Sequence, residues 1–178
     1  MAITTRRAAA ADAAVLHDLA ARTFALACPP GTSREDVDSF VAAHLSLARF
    51  RGYLADPDRT LLLVLADDVP IGYSMLVSGP IADPDVRAAV DQGTSIELSK
   101  FYLLEAAHGS GAATVLMAAT VDAAAASGAR RCWLGVNQLN ARAARFYERS
   151  GFTVIGTKRF LVGAQWHDDH IRARPLRQ

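Results

Sequence analysis

Apolar positions change their period several times along the chain, and each change marks an element. After a short strand in "AITTRRA", Ala14, Val15, Leu19 and Phe24 recur at helical spacing over residues 11–24, and Cys28-Pro29-Pro30-Gly31 stops that helix. Ser33 then offers an N-cap. The stretch "REDVDSFVAAHLSLARFRGYLA", acidic at its start and Arg-bearing later, predicts one continuous helix up to Asp56-Pro57, so that two helices precede the main sheet. "TLLLVLA" (60–66) and "PIGYSMLVSG" (70–79) are β-rich runs, and Asp67-Asp68-Val69 between them predicts an antiparallel hairpin. Residues 80–93 carry two prolines and three aspartates and read as a long excursion.

Beyond it the pattern alternates. "SIELSKFYLL" (95–104) predicts a strand and "AAHGSGAA" a glycine turn; the helix 111–127 ends at Gly128 as C′. "RRCWLGVN" (130–137) predicts the next strand. Asn140 caps a helix that runs to Ser150, Gly151 stops it, and "FTVIGTKRFLVG" and "HDDHIRARPL" supply two further strands.

Composition narrows the function more than the fold. A chain of 178 residues predicts one domain over 1–178 with a sizeable core, and 51% hydrophobic with 21% charged residues is an ordinary globular balance. A formal net charge of +1 gives no reason to expect nucleic acid or an acidic membrane surface. Cys28 and Cys132 lie far apart without metal-ligand spacing, so neither a disulfide framework nor a zinc site is indicated. No charged-then-apolar leader and no apolar run of about 20 residues are present, and the expected location is cytoplasmic.

Chemistry concentrates at the glycine turn. A strand, a Gly-rich turn and a helix opening aim backbone N–H groups and a positive dipole end at an anion, usually a phosphate. A P-loop would need Lys and Ser/Thr after the last glycine, yet Gly111 is followed by Ala112 and Ala113. Thr114 stands where a dinucleotide fingerprint would put its third glycine, which argues against an NAD enzyme. The plain alternative is a tight turn that uses glycine only for positive φ.

"SIELSKFYLLEAAHGSGAATVLM" and "WLGVNQLNARAARFYERSGFTVIG" together resemble the two motifs of the GNAT superfamily of acetyl-CoA-dependent N-acetyltransferases. The stretches "ELSKFYLL" and "FLVGAQWHDDHIRARPL", with Asp169, resemble the branch that includes spermidine-type enzymes. The resemblance implies an α/β fold: a mixed, mostly antiparallel seven-stranded sheet, helices on both faces, and a splay between strands 4 and 5 where acetyl-CoA enters as co-substrate. It also implies a turn, His108, Gly109, Ser110, Gly111, Ala112 and Ala113, that holds the pyrophosphate. His108 replaces the family's Arg/Gln and brings less charge. Phe101, Tyr102 and Leu103 fall where backbone pairs with pantetheine, and an N–H near Leu103 is a candidate oxyanion donor. Asn140 is both an N-cap and a pantetheine contact.

Two side chains stand out for proton transfer. Glu97, one of four glutamates, lies on the strand leading into the turn and is the candidate general base, against a carboxylate merely paired with Lys100 or an arginine. Tyr147, seven residues after Asn140, is the candidate acid for the leaving thiolate, against a core-packing aromatic beside Phe146. Strand alternation splits "HDDH" (167–170) between two faces, which argues against a metal site, and none is expected.

The expected reaction is direct transfer of acetyl to a primary amine in a ternary complex. The resemblance to spermidine-type enzymes implies a small primary amine, with polyamines the first candidates, and Asp83, Asp85, Asp91, Glu97, Asp168 and Asp169 support it as residues of an acidic cleft. The rivals are a peptide or protein acetyltransferase and a non-catalytic acyl-CoA sensor. Acetyl-CoA and an amine acceptor are the expected partners, and a homodimer is compatible with the sequence.

Overall fold

The computed structural model describes residues 1–90 and 95–177, and its strands form one sheet in the order β1-β2-β3-β4-β5-β7-β6. These are β1 (Ile3–Arg7), β2 (Arg59–Ala66), β3 (Val69–Val77), β4 (Ser95–Leu103), β5 (Arg131–Asn137), β6 (Thr153–Val162) and β7 (Gln165–Pro175). Every neighbouring pair is antiparallel except β4–β5. On one face lie α1 (Ala13–Ala27), α2 (Arg34–His44), α3 (Leu47–Ala55) and α4 (Pro84–Ala89); α5 (Ala112–Ala126) and α6 (Ala141–Arg149) cover the other. This is the architecture that the sequence resemblance implied. Among the described residues no helix is long and apolar enough to cross a membrane.

The unbroken apolar run of β2 follows from being covered on both sides. Leu61, Leu63 and Leu65 pack with Leu16 and Leu19 of α1 and Phe50 of α3, while Leu62 and Val64 pack with Leu116 of α5. Asp67 and Asp68 close the β2–β3 hairpin with φ of 46° and 67°, the left-handed pair that a two-residue turn between twisted strands needs.

Two expectations need correction. The helix predicted over 34–55 is two helices, because the Ser46 hydroxyl accepts the Arg49 amide at 3.3 Å and starts α3 afresh. Leu45, at the break, is 1% exposed; its inward turn is what the kink gains. Three helices therefore precede the central hairpin. Within the long excursion, Asp83 accepts from the amides of Asp85 and Val86, and Pro84 occupies the first helical position, so α4 forms there.

Up to β4 the ladders run in register except at Ile71, an extra residue in β3 opposite Val64 and Leu65. Parallel pairing with β5 covers only Ser95↔Arg131, Ile96↔Cys132 and Glu97↔Trp133. On the other side Leu76 pairs with Leu98 and Met75 with Lys100, so Ser99 is an extra residue, a β-bulge, in β4. Strict alternation would send Glu97 and Lys100 to opposite faces; the bulge resets the phase and puts both on the face of α1–α3. Past it β4 stays with β3 and leaves β5.

Close approach of β3 and β4 holds that bent segment. A Cβ at Gly72 would lie 2.6 Å from the Tyr102 carbonyl oxygen and 2.8 Å from Leu103 Cγ. Gly72→Ala should therefore cost about 1–3 kcal/mol of stability, read as a lower urea midpoint at unchanged slope. A midpoint equal to wild type would show that the two backbones have room to spare.

Candidate active site

Where β4 and β5 part, the space between them opens to both sheet faces. Two cavities meet there, one of about 450 Å³ on the glycine-turn side and one of about 250 Å³ on the α1–α2 side. Ala27, Phe101, Tyr102, Asn140, Ala143 and Tyr147 line both. The larger is called the groove below, and the smaller the chamber.

The glycine turn forms the floor of the groove. Gly109 (φ 82°) and Gly111 (φ 88°) take left-handed conformations, and Gly111 is the N-cap of α5 without a capping side chain. Of the first-turn amides, that of Ala112 is taken by the Ser110 hydroxyl and that of Thr114 by the Gly111 carbonyl at 3.0 Å, which leaves the Ala113 amide for an anion. His108, Gly109, Gly111 and Ala113 line the groove, as does Leu103. Ser110 and Ala112 do not. The Ser110 hydroxyl donates to the Ala107 carbonyl at 2.7 Å and accepts the Ala112 amide at 3.3 Å, and Ala112 is fully buried against Leu116. Both build the turn rather than its surface.

Burial and the nearby Arg142 guanidinium hold His108 below its ordinary pKa, so it presents a neutral ring. Positive charge comes instead from α6. Arg142 and Arg149 both line the groove, seven residues apart and hence on one helical face. Sequence reasoning passed over them because attention stayed on His108; their spacing in "NARAARFYER" was the available signal.

Asn140 has the capping role expected of it and borders both cavities. Its side-chain oxygen accepts the Ala143 amide at 3.0 Å and caps α6, which leaves the amide NH₂ as a donor at the junction of the cavities. Tyr147 is clamped by rings, at centroid distances of 5.6 Å from Phe146, 5.9 Å from Phe152 and 6.3 Å from Phe101. Burial drives its hydroxyl pKa far up, so it keeps its proton near neutral pH. The packing and acid readings are thus compatible, since the packed ring also borders both cavities.

Glu97 lines the chamber from β4. Burial raises its carboxyl pKa, against the lowering pull of Lys158, Lys100 and Arg59. It therefore titrates above the ordinary glutamate range, as a proton acceptor working near neutral pH should. Of the six carboxylates expected to form an acidic cleft, only Glu97 and Asp169 line the chamber. Asp83 caps α4, Asp85 is exposed on that helix, Asp168 is exposed on β7 opposite Arg159, and Asp91 lies outside the described residues. His167 and Asp169 face the chamber together, as alternation along "HDDH" requires. Among the described residues no group of three or more His, Cys, Asp or Glu side chains is placed to hold a metal ion.

Comparison with known proteins follows the same lines. The model of the acetyltransferase (GNAT) family matches residues 20–152. Uncharacterized N-acetyltransferases of Mycobacterium bovis and Mycobacterium tuberculosis are 47% identical over 165 residues, covering 93% of this chain and 98% of each relative. The PaiA N-acetyltransferase of Thermoplasma acidophilum, solved with coenzyme A, superposes with a TM-score of 0.79 at 21% identity, over 98% of this chain and 99% of that one. YncA of Salmonella typhimurium, solved with acetyl-CoA, gives 0.69 at 19% identity over 100% and 96% of the two chains. At such identities the structures speak for the fold. The match of the family model across most of the sequence, together with the mycobacterial relatives, makes this chain a member of the acetyltransferase (GNAT) family, an N-acetyltransferase.

Proposed function

We propose that the chain transfers acetyl from acetyl-CoA directly to the primary amine of a small acceptor. The observation that carries this is the meeting of two cavities between β4 and β5, one walled by phosphate-type donors and one by titratable side chains, with Tyr147 on both. The residues present fit the co-substrate: two left-handed glycines, a helix start without a side-chain cap, and two arginines border the groove. When bound, acetyl-CoA supplies the thioester that is cleaved. Gly109, Gly111, Ala113, Arg142 and Arg149 hold the phosphates, and the β4 backbone at 101–103, freed from β5, borders the pantetheine arm.

Glu97 accepts the proton that the attacking amine loses as its C–N bond forms. Tyr147 donates its own to the sulfur as the C–S bond breaks, and Asn140 orients the arm between them. Neither cysteine supports an acyl-enzyme. Cys28 borders the chamber but burial pushes its thiol up to about 11, and Cys132 is in the core, pushed up to about 12. The polyamine reading drew on the resemblance to spermidine-type enzymes, with six carboxylates in support. With two of them in the chamber and Lys100 and Lys158 beside them, the acceptor class rests here at a small primary amine. A peptide chain suits the chamber less, at about 250 Å³.

Three variants test the roles. Gly111→Val puts a β-branched residue at φ 88° and should abolish the thermal stabilisation given by coenzyme A; a folded variant stabilised as much as wild type would remove the turn from phosphate binding. Tyr147→Phe should lower kcat by about 10²-fold or more while KM for acetyl-CoA changes little, because the lost proton matters only as the thiolate leaves. An unchanged kcat would leave Tyr147 with packing alone.

For Glu97 the sign follows from its raised pKa. Only the carboxylate accepts a proton, so wild-type kcat/KM should rise with pH through a value above the ordinary 4.5 and then level once Glu97 is ionised. Glu97→Gln should lose that limb and recover only at alkaline pH, where the free amine accumulates unaided. Parallel wild-type and variant profiles would assign the base elsewhere.

A further inference from the structure

Charge inside the chamber is balanced in a particular way. Glu97 and Asp169 supply two carboxylates, Lys100 and Lys158 two ammonium groups, and no ion pair within 4.0 Å joins any of the four to another. Each cation arrives by a local device. The bulge at Ser99 turns Lys100 onto the face that carries Glu97. Lys158 starts on β6, crosses β7 beside its cross-strand partner Asp169, and ends above Gly135 of β5. A Cβ at Gly135 would lie 2.5 Å from Lys158 Cε and 3.3 Å from its Nζ, so the missing side chain is what lets the ammonium reach the β4–β5 gap.

The rest of the wall is apolar or unfilled. Phe24, Phe40, Leu45 and Phe160 close the far end. The Nε2 atom of His167 borders the same space, buried and without a hydrogen-bond partner. The ammonium groups have ring contacts, Lys100 Nζ at 5.8 Å from the Tyr53 centroid and Lys158 Nζ at 5.5 Å from that of Phe160. Among the described residues, neither they nor the two carboxylates have an ion pair or a side-chain hydrogen bond. Partly buried charges so held are costly, and a ligand that meets both signs repays the cost. A polyamine would bring only cations toward two lysines. An internal peptide amine would satisfy the carboxylates and leave the lysines bare.

Resting on the acetyltransferase reading above, we infer that the acceptor is a small zwitterion of the α-amino-acid class, with its amine toward Glu97, its carboxylate on Lys158 and Lys100, and an apolar side chain against Phe24, Phe40 and Phe160. Burial lowers Lys100 to about 8 and raises Asp169 to about 6, shifts of the sign that desolvated charges short of partners show. Arg59, whose Nε is 3.0 Å from Asp56, adds positive potential near Lys100.

Thiol release from acetyl-CoA tests this with three kinds of acceptor: free apolar amino acids such as methionine and phenylalanine, their carboxamides, and spermidine. The free acids should exceed their amides by at least about tenfold in kcat/KM, since a charge-assisted contact is lost. Amide α-amines are the less basic, which biases the comparison against the expected result. Lys158→Met should shrink the acid-to-amide ratio about tenfold, mostly through KM, and Lys158→Arg should restore part of it; coenzyme A thermal shifts verify that each variant is folded. Equal or better turnover of amides or spermidine, or a ratio untouched by Lys158→Met in folded protein, would overturn the zwitterion assignment and leave the transferase standing. Absence of thiol release with every amine tried, and of any thermal shift with coenzyme A, would overturn both.

Discussion

Every part of this site depends on one backbone conflict: β4 cannot follow β3 and β5 at once beyond Glu97. Three residues of parallel pairing, then a bulge, then divergence leave one edge of β4 without a strand partner in the middle of a sheet. Unpaired backbone inside a protein is expensive, and globular sheets avoid it. Here it is kept open between two packed helical layers, held by the tight β3–β4 contact on one side and the β5–β7 ladder on the other. A groove, a chamber and the passage between them are the same gap seen from different faces.

Desolvation gives the gap its chemistry. The ring contacts that pack Tyr147 against the core go with the desolvation that holds its proton, and the burial that makes Glu97 harder to ionise brings it toward the pH range where a base is useful. Packing and reactivity are therefore not competing accounts of these two residues. Asn140 follows the same economy, since one end of its amide closes a helix and the other faces the cavities.

Elements whose signals are local could be read from the sequence. The Asp67-Asp68 turn, the caps at Ser33 and Asn140, and the Gly111 and Gly128 boundaries of α5 each depend on a few adjacent residues. The glycine turn and "NARAARFYER" also carried most of the groove, apart from Ser110 and Ala112, which face inward. What could not be read is whatever depends on strand phase and on distance. Nothing in "ELSKFY" announces that Ser99 is an extra residue, yet without it Lys100 would point away from Glu97. The acidic cleft was reduced for a related reason: Asp85 and Asp168 face solvent, and Asp83, which caps α4, borders Glu97 and Lys158 from outside the chamber. Lys158 comes to the gap from two strands away, a relation that no window of sequence contains.

That long reach also bears on how such a chain can diverge. Gly135 and the end of Lys158 occupy one volume, so a side chain acquired at 135 pushes the flexible lysine end aside without any change at 158 itself. Position 135 therefore sets how far the cation reaches, while 158 keeps its identity. Change in such a chain can begin on β5, at a residue that carries no charge, and act in the gap through what it displaces.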